Sequence, residues 1–216
     1  MIKFITKVFI KIASKLTGSP DWVIKGEVSS KGSELRYWNE KGIGLGTDIY
    51  LRYLEAFKLD GDLSNYHVAD FGCGPFGGIL SHVDCLKPYP IDVLADEYNE
   101  LNYSKFDIYN FDGNKVDINN NECNVVFSTN ALDHTPNPKK SISEIYRILK
   151  PGGEFYLHVH LRYPHELNKT HPVSWSKEFA FDQLSEFDIL WHKELTHDWI
   201  NDNPYRTLLL KAKKNS

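Results

Sequence analysis

Val68-Ala69-Asp70-Phe71-Gly72-Cys73-Gly74-Pro75-Phe76-Gly77-Gly78 is the stretch that decides the fold. A short apolar run ends at an acidic residue and then breaks into the glycines Gly72, Gly74, Gly77 and Gly78. A buried parallel strand reads this way when it stops at a tight turn and its backbone must come close to a ligand. The letters also satisfy Gly-x-Gly-x-x-Gly, the dinucleotide fingerprint, so the first question is which nucleotide-bearing ligand sits there.

Charge separates the possibilities. A pyrophosphate brings negative charge to a helix N-terminus and needs amide donors with no carboxylate nearby. Asp70 lies two residues before the first glycine, where it repels phosphate, and Pro75 removes an amide donor from the loop. A ligand carrying sulfonium and ammonium groups is attracted instead. The pattern therefore suits S-adenosylmethionine (SAM) better than NAD. Asp70-Phe71-Gly72-Cys73-Gly74 resembles the first motif, Asp/Glu-x-Gly-x-Gly, of the class I SAM-dependent methyltransferases. That resemblance implies an α/β Rossmann-like fold, a seven-stranded mixed sheet of order 3-2-1-4-5-7-6 with helices on both faces. It also implies SAM as cofactor, S-adenosylhomocysteine as product, and a cofactor site that includes Asp70, Gly72 and Gly74.

Downstream, a short helix is expected over roughly 78–85 and a brief strand from Tyr89 to Asp92. Asp92 falls about twenty residues beyond the glycine turn, where a carboxylate bonds both ribose hydroxyls, although a helix N-cap or a turn acid reads the same way. A third strand is expected from Phe106 to Phe111. Asp112-Gly113-Asn114 follows at its carboxyl end, where the resemblance places the adenine, hence Asp112 and Gly113. Asn124 to Asn130 reads as the fourth strand, with Asn130 at its tip and Ala131-Leu132-Asp133-His134-Thr135 beyond it. Pro138 to Leu149 is an amphipathic helix closed by Leu149-Lys150-Pro151-Gly152-Gly153, whose glycines permit a left-handed exit. Glu154 to Leu161 is the fifth strand. This order of strand, Asn-Ala-Leu-Asp-His, helix, Leu-Lys-Pro-Gly-Gly and strand resembles the small-molecule branch of the same family. A helix at 176–186 and two terminal strands, Ile189 to Leu195 and Tyr205 to Lys211, complete the expected sheet.

The chain of 216 residues, 41% hydrophobic and 13% aromatic, is long enough for one α/β domain with an extension. Its net charge of −4 lacks the basic face of a nucleic-acid binder, and no Asn-Pro-Pro-Tyr motif is present. Cys73, Cys85 and Cys123 lack metal-ligand spacing and read as reduced thiols of a cytoplasmic protein. Residues 1–58 form the leader of the same unit, and 59–216 the methyltransferase domain. Within the leader, Ile2, Ile5, Phe9, Ile12 and Leu16 alternate with Lys3, Lys7, Lys11 and Lys15, the spacing of an amphipathic helix with a basic face. Two placements stay open for it: packed on the domain or on a second copy in a homodimer, or attached peripherally to an anionic inner membrane surface. Ser33 to Trp38 and Asp48 to Lys58 read as helices, which the resemblance implies form a lid, and Tyr37 and Trp38 are nominated for the substrate site.

If the methyl acceptor is a hydroxyl, a base must remove its proton, and histidine titrates in the right range. His134, beside Asp133, follows the fourth strand. His158 and His160 share one face of the fifth, opposite Leu157 and Val159, and His160 is nearer the carboxyl end. His165 and His171 lie in the following loop, which the resemblance implies borders the acceptor. His134, Asp133 and His160 are therefore the expected catalytic groups, and Tyr37, Trp38, His165 and His171 the expected substrate contacts. No close-spaced acidic set is evident, so no metal is expected. The aromatic leader suits a carbohydrate, and the domain resembles methyltransferases that modify bacterial surface polysaccharides or their nucleotide-sugar precursors. An amide nitrogen as acceptor, an NAD-dependent oxidoreductase and a SAM-binding regulator remain as alternatives.

Overall fold

The computed structural model describes residues 48–59, 62–168, 170–200, 202 and 204–215. The amphipathic segment 2–16, the glycines 42, 44 and 46, and the nominated Tyr37 and Trp38 lie outside the described residues.

Seven strands form one sheet. They are β1 (Asp62–Phe71), β2 (Asp84–Asp92), β3 (Tyr109–Asn110), β4 (Cys123–Thr129), β5 (Leu149–Leu161), β6 (Phe187–Leu195) and β7 (Arg206–Lys214). Their order is β3-β2-β1-β4-β5-β7-β6, with β7 antiparallel to both neighbours and the other pairings parallel. The chain moves outward from β1 to β2 and β3, then crosses back to β4. The tips of β1 and β4 therefore flank the topological switch point where open α/β sheets bind ligands.

Alternation along the central strands sorts the core into two layers. Ala69, Phe71, Val126, Leu157 and Val159 face α3 (Pro138–Ile148) and α4 (Lys177–Gln183). Val68, Val125, Phe127 and Tyr156 face α1 (Asp48–Phe57), which contributes Tyr53, Leu54 and Phe57. The remaining helix, α2 (Ala95–Leu101), buries Ala95 and Tyr98 with Leu94, Cys73 and Ile108 beside the glycine turn. Among the described residues, no helix is long and apolar enough to cross a membrane.

Three local expectations are corrected. The helix expected at 78–85 is a single 3-10 turn, Gly78–Ser81, and β2 starts at Asp84. Gly78 has φ +58, outside the right-handed helical region. Pro88 and Pro90 then hold the chain extended. These prolines share a parity, and pairing with β3 begins only at Ile91, so their missing amides cost the ladder nothing. Second, β1 begins well ahead of the apolar run at Val68 and already pairs with β2 at Asp62. Third, α3 has no left-handed exit: Leu149 is extended and opens β5, while Gly152, at φ +74, turns the chain within a register shift. The orphan carbonyls of α3 find another partner, because Nζ of Lys214 in β7 donates to the carbonyls of Tyr146 and Leu149 and to Asn121. At its other end, Asn137 accepts from Lys140 N–H and Pro138 occupies the first turn.

Candidate active site

β1 ends in a turn that only glycine builds. Gly72, Gly74, Gly77 and Gly78 all have positive φ. The amides of Gly72 and Cys73 donate to the Ile91 carbonyl at 2.8 and 3.1 Å, tying the turn to the end of β2. Ser128 Oγ donates to the Phe71 carbonyl at 2.8 Å and ties it to β4. A Cβ on Gly72 would lie 2.2 Å from the Ala131 Cβ, so the tips of β1 and β4 meet at backbone distance.

Two carboxylates organise this turn. Asp92 Oδ2 accepts from Gly74 N–H at 3.0 Å and Oδ1 from Leu94 N–H at 2.9 Å, joining the glycine loop to the start of α2. Asp70 is wholly buried. Its Oδ2 accepts from Ile79 N–H at 2.7 Å, and its Oδ1 meets no donor among the described residues. Burial pushes the Asp70 carboxyl up to about 7, opposed by the Ile79 amide and helped by the charge of Asp92. Asn130, left-handed at φ +52, presents a second buried acceptor, Oδ1, with no hydrogen-bond partner among the described residues. Asp112 is exposed and accepts from the Asn114 and Lys115 amides of its own turn. Gly113 at the apex, φ +90, has open space where a Cβ would be.

The second half of the site lies at the same edge of the sheet. Asp133, on the 3-10 turn Leu132–His134 that follows β4, is wholly buried, and neither of its oxygens has a hydrogen-bond donor among the described residues. It faces imidazoles instead, with His160 Nδ1 at 3.4 Å and His171 Nδ1 at 3.3 Å from its Oδ2. The His134 ring packs on that of His171 with centroids 4.3 Å apart. Behind them, His160 Nε2 hydrogen-bonds Asp198 Oδ2 at 2.9 Å, and His158 Nε2 lies 3.3 Å from the same oxygen. Burial pushes the Asp133 carboxyl up, but His134, His160 and His171 outweigh it and hold the group well below the ordinary carboxylate range. Burial likewise pulls His160 down, and its two carboxylate partners override that, raising it to about 9. For His158 burial dominates and pushes the imidazole below its ordinary range.

The residues expected from sequence are thus only partly brought together. Asp133, His134, His160 and His171 converge, though Asp133 engages His160 and His171 rather than simply orienting its neighbour. His165 does not join them: it is exposed and stacked on Tyr163 at 5.6 Å. His158 is an interior histidine edge-on to Tyr53. Asp198 was missed. It sits on the β6–β7 connection, and because β6 runs parallel to β5 that connection returns to the ligand edge of the sheet. Arg52 of α1 pins it by donating to the Ile200 carbonyl, and Asp198 Oδ1 accepts from Ile200 N–H. Arg162, just past β5, is also buried, stacked on Tyr205 at 4.2 Å, with Nε unpartnered among the described residues. Two trios bring metal-ligating atoms within 4.8 Å of one another: Asp133, His134 and His171, and the fully buried His158, His160 and Asp198.

Residues 42–157, more than half of the chain, match the methyltransferase domain family. A sterol 4-C-methyltransferase of Caenorhabditis elegans is 29% identical over 103 residues, covering 44% of this chain and 31% of that protein. The aligned region thus spans about a third of the relative's length. Among solved structures, phosphoethanolamine N-methyltransferase 2 of Haemonchus contortus, in complex with phosphomonomethylethanolamine and S-adenosylhomocysteine, superposes with a TM-score of 0.58 at 16% identity. It covers 79% of this chain and 54% of that one. The [4+2]-cyclase SpnF superposes with a TM-score of 0.57 at 15% identity over 99% of this chain and 96% of its own. The sheet order, the left-handed glycine turn and the match over 42–157 agree: the chain belongs to the methyltransferase domain family and has its Rossmann-like fold.

Proposed function

We propose that the chain methylates a hydroxyl of a small polar acceptor, a sugar or nucleotide sugar of the kind used in bacterial surface-polysaccharide biosynthesis. The observation that carries this reading is the alternation of carboxylate and imidazole from Asp198 through His160, Asp133 and His171 to half-buried His134. A hydroxyl is a weak nucleophile until its proton is taken, and imidazole suits that task near neutrality. His134, at the open end, takes the proton. Asp133 stabilises the resulting imidazolium, and His160, held by Asp198, positions Asp133.

Bound SAM supplies a methyl group on a positively charged sulfur, open to in-line displacement. In this reading Asp70, Gly72, Gly74, Asp92 and Asn130 hold it, with Asp112 and Gly113 beside the adenine. The buried acceptors Asp70 Oδ1 and Asn130 Oδ1, lacking donors among the described residues, fit a ligand that brings N–H groups and positive charge. Tyr37, Trp38, His165 and His171 are assigned to the acceptor. The buried cation of Arg162 beside Tyr205 supports an acceptor that carries a phosphate.

Asp70 gives a pH prediction. Folded Asp70 keeps its proton up to about pH 7, whereas the unfolded chain loses it near 3.8. The group's contribution to stability therefore falls as pH rises through that window. A cationic ligand favours the carboxylate, so SAM affinity rises from pH 5 to 7 and binding releases a proton. Calorimetry in buffers of different ionisation enthalpy measures that release. Asp70→Asn should bind SAM weakly, without proton release, and with a flatter stability profile over the same range.

The function itself is tested by a SAM-consumption screen. Turnover is expected with nucleotide-activated sugars, and His134→Ala should lower it about 10²–10⁴-fold. The nitrogen acceptor of the Haemonchus enzyme marks the competing reading, an amine or amide. Turnover on phosphoethanolamine that survives the paired change His134→Ala and His160→Ala would establish it in place of ours.

A further inference from the structure

We propose that Asp133, His134 and His171 form a binding site for a divalent first-row transition metal ion, with His160 and Asp198 as its supporting shell. The inference shares its residues with the function proposed above but goes beyond it, because a cation and a proton compete for His134. Two histidines and one carboxylate, with coordination positions left open, are the facial set that binds iron, zinc and related ions.

The distances fit. Metal–ligand bonds of about 2.0–2.1 Å place tetrahedral donor atoms about 3.3–3.4 Å apart. His171 Nδ1 lies 3.3 Å from Asp133 Oδ2, and the three ligand atoms converge within 4.8 Å. That separation is long for a charge-assisted hydrogen bond, and Asp133 indeed accepts none from the described residues although it is wholly buried. A buried carboxylate is held by positive charge, and a cation bound between Asp133 and its imidazoles would add to what those rings supply.

Polarity around the trio supports the same conclusion. With Nε2–H of His160 donated to Asp198 at 2.9 Å, its Nδ1 side is turned toward Asp133 at 3.4 Å. Ligating carboxylates are themselves held by outer groups, and His160, fixed by Asp198, stands in that place behind Asp133. His134 and His171 are half-buried, which leaves the trio open toward the cleft, whereas the trio of His158, His160 and Asp198 is closed and internally hydrogen-bonded. The ligands come from the turn after β4 and the loop after β5, so their spacing in the sequence resembles no metal motif.

Cobalt(II) titration of the full chain, followed by visible absorption, tests this without methyl transfer. One equivalent should give the intense ligand-field bands of a four- or five-coordinate ion, bleached by zinc. Asp133→Asn and His171→Ala should abolish the bands, and His165→Ala should leave them unchanged. His160→Ala should weaken binding about 10–100-fold. Since Asp133→Asn could fail to fold, His171→Ala decides, at a side chain less deeply buried than Asp133, with circular dichroism as the check. Absent bands, or bands that survive His171→Ala, overturn the site. Bands without turnover on any acceptor would instead leave the site standing and remove the proposed function.

Discussion

Gly72→Ala is expected to destroy SAM binding and to lower stability by about 3 kcal/mol, through two separable costs. The first is conformational: φ is +86 at this position, and a Cβ there strains the backbone in a way glycine does not. The second is steric, since the new methyl would sit 2.2 Å from the Ala131 Cβ, where the tips of β1 and β4 meet. Ala131 has φ −128, which glycine adopts freely, so Ala131→Gly should cost little and should remove the collision in the double variant. Urea denaturation of the four proteins forms a double-mutant cycle. We expect Ala131→Gly to restore roughly half of the lost stability in the Gly72→Ala background and almost none of the SAM affinity, because the turn stays strained. Additive effects would show that the β1–β4 approach is looser than the geometry indicates.

The parts of this architecture visible in the sequence are those governed by local backbone chemistry. Asp70 followed by alternating glycines marks the end of a strand whatever surrounds it, and Pro138 opens α3 through its own ring. The helix expected after the glycine turn failed for a tertiary reason. Ile79 and Leu80, wholly buried under α1, have helix-compatible side chains, but Asp84 to Lys87 are drawn into register with β1. The exit of α3 was misread in the same way, because the cation that caps it comes from Lys214, at the far end of the chain.

The histidine–carboxylate cluster divides similarly. His134 and Asp133 adjoin a strand tip, and His158 and His160 follow the period of two, so each could be placed from local pattern. That His171 rather than His165 reaches Asp133 depends on how the loop after β5 folds back, which no spacing encodes. Asp198 depends on the antiparallel insertion of β7 between β5 and β6. Once that topology was expected, the β6–β7 connection had to lie on the ligand edge, and an acid in a segment rich in aromatic and polar residues deserved a place among the site residues.

Asp92→Ala carries the second large effect, and it tests the proposed cofactor site from the side opposite Gly72. Removing the carboxylate strands the amides of Gly74 and Leu94 in a buried setting, each at a cost of about 1–3 kcal/mol. It also removes the acceptor we assign to the ribose hydroxyls, so SAM affinity should fall at least about 100-fold, or about 2.7 kcal/mol. The two consequences are separable with Asp92→Asn. Its one oxygen can still accept from Leu94 N–H, while its NH2 group then opposes the Gly74 amide, donor against donor. Asp92→Asn should therefore recover part of the stability lost in Asp92→Ala yet bind SAM nearly as poorly. Calorimetry with SAM and S-adenosylhomocysteine, beside urea denaturation, gives both quantities. A folded Asp92→Ala protein with undiminished affinity for both ligands would mean that this carboxylate only braces the glycine turn and that the ribose is held elsewhere.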